Sequence, residues 1–511
     1  MKLKTTVFVL LLVIFSYSQE NTIEFTAPLD ETVINKHIYG HFAEHLGRCI
    51  YDGFYVGEDN KSIPNTNGVR NDIINALKAL NIPNLRWPGG CFADTYHWKD
   101  GIGPKEKRPA IVNTWWGNVT EDNSFGTHDF LNLCEVLDTE PYISGNVGSG
   151  SVQELADWVQ YVNFEGKSPM SDLRRQNGRE KPWKVKFWGV GNEAWGCGGN
   201  MRPEYYVDVY RKYTTFMSGS GIEGGLDKIA SGASDADYRW TEILMRDIPH
   251  NLLQGVALHH YSVIDWSNKG SSTEFTEDQY FKTMQRSWKM EELIQKHSEI
   301  MDKYDTERKV DLVVDEWGGW YDVMPDTNPG FLYQQNTMRD AMIAGMNLNI
   351  FNNHADRVKM ANLAQTVNVL QAVVLTNGNK MILTPTYHVM EMYKVHQDAV
   401  LVPLQLKTDT YVYNGENLPA ISASASINKE GKTHISLVNI DLQNSKNITI
   451  SMDKRYKQVS GRILKSGKVQ DHNSFTEPEK IKPIAFKEAN LNKDKITIDV
   501  PPFSVVVLTL E

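Results

Sequence analysis

Residues 185–193 read Val185-Lys186-Phe187-Trp188-Gly189-Val190-Gly191-Asn192-Glu193, an apolar, β-prone run that ends on glycine, an amide and a carboxylate. A short run of this kind, closed by turn residues, is the pattern of a strand buried on both faces in a parallel sheet. With it, eight candidate strands follow one another, at residues 38–42, 84–87, 142–146, 185–190, 228–231, 255–259, 311–315 and 347–351. Helical stretches separate them. In residues 69–80, Val69, Ile73, Ala76, Leu77 and Leu80 share one face, as an amphipathic helix requires. Ser151 with Glu154 three residues on is a capping box. Eight strand–helix units predict an α/β fold, a (β/α)8 TIM barrel.

The pattern changes near residue 401. Short β-prone runs at 411–413, 420–427, 433–439, 448–452, 496–500 and 504–510 are separated by Gly, Asn, Asp, Lys and Pro. That spacing predicts an antiparallel β-sandwich. Residues 22–25 offer it one further strand. The expected organisation is a leader over 1–18, an N-terminal strand region packing on the sandwich over 19–36, a barrel over 37–396 and a sandwich over 397–511.

Composition narrows the function classes. The chain has 511 residues and a formal charge of -10, with no sustained run of Lys and Arg. Nucleic-acid binding asks for a concentrated positive face, so none is expected. Lys2 and Lys4 precede an apolar run over residues 5–15 and the small residues Ser16 and Ser18. This reads as a signal peptide and predicts export, to the periplasm or outside the cell. The run is too short for a membrane span. Four cysteines, Cys49, Cys91, Cys134 and Cys197, allow three full pairings or free thiols. They lack the close spacing of a zinc site, and no metal or other cofactor is expected.

In a barrel of this type the chemistry sits at the C-terminal ends of the strands. There the sequence places Glu193 after the fourth strand and Glu316 after the seventh. A single carboxylate at a strand end is an ordinary salt-bridge or cap partner. Two whose strand tips face one mouth fit glycosidic cleavage, where one carboxyl protonates the leaving oxygen and the other attacks the anomeric carbon. Trp188, Trp195 and Trp317 are candidates to dry the pocket and raise one carboxyl's pKa, while a hydrogen bond or Arg86 keeps the other ionised. Asn192 offers an amide to a sugar hydroxyl, and Tyr261 is placed to orient the nucleophile.

Five strings carry a resemblance. They are Gly40-His41-Phe42-Ala43-Glu44-His45-Leu46-Gly47-Arg48, Leu85-Arg86-Trp87-Pro88-Gly89-Gly90-Cys91-Phe92-Ala93-Asp94, Gly189-Val190-Gly191-Asn192-Glu193, Val314-Asp315-Glu316-Trp317 and Asn362-Leu363-Ala364-Gln365-Thr366-Val367-Asn368. Between residues 36 and 396 the chain resembles the α-L-arabinofuranosidases of glycoside hydrolase family 51. The resemblance implies a retaining, exo-acting enzyme that removes terminal α-L-arabinofuranosyl units from arabinan, arabinoxylan or related plant cell-wall polysaccharides and oligosaccharides. It makes Glu193 the acid/base and Glu316 the nucleophile. It puts Glu44, Arg86, Cys91, Asn192, His259, Tyr261 and Gln365 around the terminal sugar, and it implies a possible homo-oligomer. The role of His260 stays open, as does that of the segment Trp195-Gly196-Cys197-Gly198-Gly199-Asn200.

Three other readings fit parts of the pattern. The same machinery serves a β-xylosidase or an endoglucanase. A non-catalytic carbohydrate-binding protein would not need both glutamates. A metallohydrolase built on His41, His45, His259 and His260 lacks the His-Glu-x-x-His spacing of a helical zinc site.

Overall fold

The computed structural model describes residues 21–26, 31–452 and 454–511. The run over residues 5–15 read as a signal peptide therefore lies outside the described residues. Eight parallel strands close into a barrel in chain order. They are β1 (Gly40–Phe42), β2 (Asn84–Trp87), β3 (Glu140–Gly145), β4 (Phe187–Val190), β5 (Asp227–Ser234), β6 (Gly255–Ser262), β7 (Asp311–Gly319) and β8 (Val358–Ala364). Most are buried on both faces, which is why they read as continuous apolar runs. Inward side chains at their N-terminal halves, Tyr142, Phe187, Ile229, Ala257, Val313 and Met360, fill the lower barrel.

Seven of the eight strand expectations fall on these strands. The eighth does not: residues 347–351 lie inside the helix Met338–Asn353, and the last barrel strand is β8. This helix is buried all round except at Asn353, so it has no polar stripe and no 3.6-residue period to betray it. Its position explains the burial. One side covers the barrel and the other meets the sandwich, where Asn349 Nδ2 donates to Ser422 Oγ at 3.2 Å and Asn352 Nδ2 to Ser424 Oγ at 3.1 Å.

The helix expected over 69–80 begins only at Asn71, because Val69–Arg70 pairs with Asn65–Thr66 in a small hairpin. Ser151 caps its helix by accepting from Glu154 N at 3.1 Å. The reciprocal half of the box is not made, since the Glu154 carboxylate bonds His97 Nδ1 at 3.0 Å.

The C-terminal region forms two stacked sheets, one of five and one of six strands. Between them lie Ile448, Ile450, Ile496, Ile498, Leu437 and Leu508. Asn21–Phe25 joins the five-stranded sheet, parallel to Lys446–Ser451 and antiparallel to Leu404–Lys407. Residues 411–413 belong to a separate hairpin, Thr410–Tyr413 with Glu416–Pro419. Among the described residues, no helix is long and apolar enough to cross a membrane.

Candidate active site

The C-terminal ends of the barrel strands bring all nine sequence-predicted residues to one mouth. β7 supplies Glu316, and β6 supplies His259 and Tyr261. Because strand side chains alternate, Tyr261 turns toward Glu316 while His260 between them turns away and donates from Nε2 to the Arg286 carbonyl at 2.8 Å. His260 is thus tied to the helix behind the strand.

Glu316 receives two donors. Arg86 Nη1 donates to its Oε1 and Tyr261 OH to its Oε2, both at 2.9 Å. Arg86 is buried and also donates from Nη2 to Asn192 Oδ1 at 2.6 Å, so it ties the two catalytic candidates' strands together. Glu193 sits opposite: its Oε1 pairs with His259 Nδ1 at 3.0 Å, and the same nitrogen is 3.6 Å from Glu316 Oε2. One carboxylate oxygen from each glutamate lies within 4.8 Å of the other's. Burial raises the Glu193 pKa, and the neighbouring Glu316 charge adds to the rise, against the His259 hydrogen bond.

His259 is held on both sides, since Nε2 pairs with Asp315 Oδ1 at 3.1 Å. Burial works against its charge, yet Glu316, Asp315 and Glu193 outweigh it and lift the imidazole to about 10. Asp315 in turn accepts from Tyr142 OH at 2.7 Å. Against burial, Arg86 and His259 keep its carboxyl below the ordinary range. Sequence reading passed over Asp315 because its neighbour Glu316 absorbed the motif. Its place inside a barrel strand was the available signal.

Glu44 forms the inner wall. Its Oε1 accepts from Trp116 Nε1 at 2.9 Å and Phe92 N at 3.0 Å, and its Oε2 accepts from Gln365 Nε2 at 3.1 Å. Burial, with the nearby Glu316, pushes its pKa up to about 7. Gly90 completes this wall, for a Cβ there would stand 2.9 Å from Glu316 Oε1.

The loop carrying Glu193 is fixed by a residue that was quoted in a motif but given no role. Asp94 accepts from Asn192 N, Val147 N and Gly148 N, each at 2.8 Å. Glu193 itself has φ +41, left-handed backbone that a non-glycine residue adopts only under constraint. Gly198 makes the turn possible, since a Cβ there would meet Asn192 O at 1.9 Å. Cys197 then bonds Cys91 in a disulfide, leaving Cys49 and Cys134 as buried free thiols. The Cys197 sulfur lies 3.5 Å and the Cys91 sulfur 4.0 Å from Glu193 Oε2. The segment 195–200 is therefore the strap that holds the Glu193 loop against the loop after β2.

Two tryptophan expectations are corrected. Trp188 and Trp317 face outward from their strands into the packing layer, against Trp158 and Phe351 respectively, so neither dries the pocket. Trp195 does line the cavity, and Trp116, Trp266 and Trp320 complete the aromatic set around the mouth. The four-histidine arrangement does not form. His41 is buried, its pKa pushed down to about 3 by that burial, and His45 pairs with Glu121 at 2.8 Å. Glu193, His259 and Glu316 could offer a metal one atom each, but both imidazole nitrogens already face carboxylates, a poor fit to a cation. The cleft has a volume of about 560 Å³. A second cavity of equal volume opens at the other end of the barrel, lined by Lys36, Glu140, Asp227 and Asp311, and neither Glu193 nor Glu316 lines it.

Comparison with known proteins matches residues 76–280 to an α-L-arabinofuranosidase 1 domain and residues 315–504 to an α-L-arabinofuranosidase C-terminal domain. An intracellular exo-α-L-arabinofuranosidase of Bacteroides ovatus is 53% identical over 513 residues, spanning 100% of this chain and 99% of that one. The chain belongs to glycoside hydrolase family 51. The family 51 arabinofuranosidase of Xanthomonas axonopodis pv. citri superposes with a TM-score of 0.93 at 47% identity, covering 96% of this chain and 100% of that one. The Thermotoga maritima α-L-arabinofuranosidase, solved as an arabinose complex, gives 0.84 at 30% identity over 96% and 99% of the two chains.

Membership of family 51 bears out the resemblance, the fold and the glycoside hydrolase assignment. The expectation of export, with its signal peptide and secreted location, is overturned, because the 53% identical relative is an intracellular enzyme. The physical reason is that a short, mostly apolar run behind two lysines is a compositional pattern, and composition alone does not decide a compartment.

Proposed function

We propose that this family 51 chain hydrolyses terminal α-L-arabinofuranosyl bonds with retention, Glu316 acting as nucleophile and Glu193 as acid/base. The observation that carries this is the pair of carboxylates with oxygens within 4.8 Å of each other at one mouth of the barrel. Retaining glycosidases keep their carboxyls about 5–5.5 Å apart, whereas inverting ones leave room for a water between. The surroundings divide the roles. Glu193, whose pKa burial raises, carries a proton to the leaving oxygen. Glu316, oriented by Arg86 and Tyr261, attacks the anomeric carbon as that bond breaks. Glu193 then takes a proton from water, whose oxygen displaces Glu316 and restores both groups.

Exo action fits the inner wall. Trp116 and Gln365 each donate to Glu44 there, which closes the wall against a through-running chain and leaves acceptor oxygens for the hydroxyls of one terminal sugar. Asn192 spends its amide oxygen on Arg86 and turns one amide N–H to Cys197 Sγ at 3.9 Å, so its other N–H remains for a sugar hydroxyl. The substrate is an arabinose-bearing plant polysaccharide or an oligosaccharide derived from it.

The test is the product. Proton NMR of the first-formed arabinose should show the anomer of the substrate, and arabino-oligosaccharides should shorten by single units from the start. An inverted first product would remove the assignment of Glu316, and early release of long fragments would remove exo action.

A further inference from the structure

Beyond the pair of glutamates, the cleft continues outward along aromatic rings. Tyr261 meets Trp320 edge-on at 5.1 Å, and Trp320 meets Trp266 edge-on at 5.3 Å. Trp320 follows β7 directly, and Trp266 lies in the loop after β6. Trp266 is 60% exposed. Among the described residues, it is the one exposed large apolar side chain that lines the cavity containing Glu193. Leaving an indole in water forgoes about 2 kcal/mol or more of burial free energy, so a ring held open at this place fits a ligand face.

The polar groups beside it suit a neutral ligand. Asp235 is paired with Lys289 at 2.8 Å, and Asp265 accepts from Ser267 N at 2.7 Å. Arg286, exposed on the same cavity wall, has no carboxylate partner among the described residues. Its guanidinium presents a fork of N–H donors, which matches two adjacent hydroxyls of a sugar ring. The cavity of about 560 Å³ is lined by Glu193 but not by Glu316, Glu44 or Gln365, so its room lies outside the pocket around the terminal furanose.

We infer that the outer half of the cleft is a binding site for the leaving-side sugars of a short neutral oligosaccharide, with Trp266 as its platform and Arg286 as its hydroxyl donor. The site rests on the reading of Glu193 and Glu316 given above, since it is their positions that make this the leaving side. The steps from Tyr261 to Trp320 to Trp266 place Trp266 beyond the first leaving-side unit. An aryl leaving group stops short of it, whereas a trisaccharide reaches it.

The experiment compares α-1,5-linked arabinotriose with 4-nitrophenyl α-L-arabinofuranoside for the wild type, Trp266→Ala and Trp266→Phe. The ratio of kcat/KM on the trisaccharide to that on the aryl glycoside should fall about tenfold in Trp266→Ala, mainly through KM, and Trp266→Phe should restore most of it. Arg286→Met should lower the same ratio by a smaller factor. Equal losses on both substrates, or no change, would overturn the inference. So would a change in molecular mass in solution on Trp266→Ala, which would make the ring an interface between copies. If the wild type cleaved neither substrate, the proposed function would fail by itself. Arabinotriose binding, read by calorimetry in the wild type and Trp266→Ala, would then decide this inference: affinity about tenfold weaker in the variant is expected, and equal affinity for both proteins would overturn it.

Discussion

Asp94 accepts the backbone N–H of Asn192 at 2.8 Å, and through that bond the loop after β2 sets where Glu193 stands. The same carboxylate also accepts from Val147 N and Gly148 N, so three loops meet on one side chain. Burial raises the pKa of Asp94 to about 7, against those three donors.

Replacing Asp94 by Ala leaves three N–H groups without their acceptor. Each unmade buried bond costs about 1–3 kcal/mol, so the variant should melt well below the wild type and lose activity. Asp94→Asn keeps one acceptor oxygen and should recover part of both. Melting temperatures and kcat on one aryl substrate check this; an unaltered kcat in Asp94→Ala would show that Glu193 does not depend on the clamp.

The two glutamates should separate by leaving group. Glu316→Ala should fail on every substrate, whereas Glu193→Ala should lose about 10²–10⁴-fold on natural glycosides and much less in the first step on activated aryl ones. Azide should rescue Glu193→Ala with a retained product and Glu316→Ala with an inverted one. Chiral analysis of the glycosyl azides reads the outcome, and the opposite pattern would exchange the roles.

His259 sets a pH dependence with a defined sign. Its hydrogen bond lowers the Glu193 pKa, so His259→Gln should move the basic limb of kcat/KM to higher pH while lowering its plateau. The imidazole itself is raised from 6.5 to about 10. A raised folded-state pKa means stability fully present below pH 6.5 and lost as pH climbs through 10. Thermal melts of the wild type should therefore fall across that window, and those of His259→Gln should fall less.

Trp116→Phe removes the indole donor to Glu44 Oε1 and keeps the ring. Loss of one hydrogen bond to a charged group, about 1.5–3 kcal/mol, should raise KM for arabinofuranosides by roughly tenfold or more. The same donor lowers the Glu44 pKa, so the variant's Glu44 should titrate higher. A KM within twofold of the wild type would mean that Glu44 does not need this donor to bind sugar.

The Cys91–Cys197 bond spans 106 residues. Closing a loop of that length in the unfolded chain is worth up to about 4–5 kcal/mol, so Cys197→Ser should shift the denaturant midpoint down. Thiol titration of the unfolded, unreduced wild type should find Cys49 and Cys134 and no others. Four titratable thiols would mean that the bridge is absent in solution.

The sequence alone pointed to the barrel, because short apolar runs with polar tips, seven of them true barrel strands, alternate with helices and have few other ways to bury themselves. Motif order then brought Glu193, Glu316 and the seven residues around them to one mouth. It failed at residues 347–351, where a helix wedged between barrel and sandwich is apolar on all sides and loses the periodicity by which helices are read. It also misplaced Trp188 and Trp317, since the direction of a side chain at a strand end depends on register. The partner of Cys91, the clamp from Asp94 to Asn192 and the outward path past Trp320 to Trp266 were decided by tertiary structure. Each joins residues from different loops, and loop closure is set by packing against the rest of the fold, which local sequence does not encode.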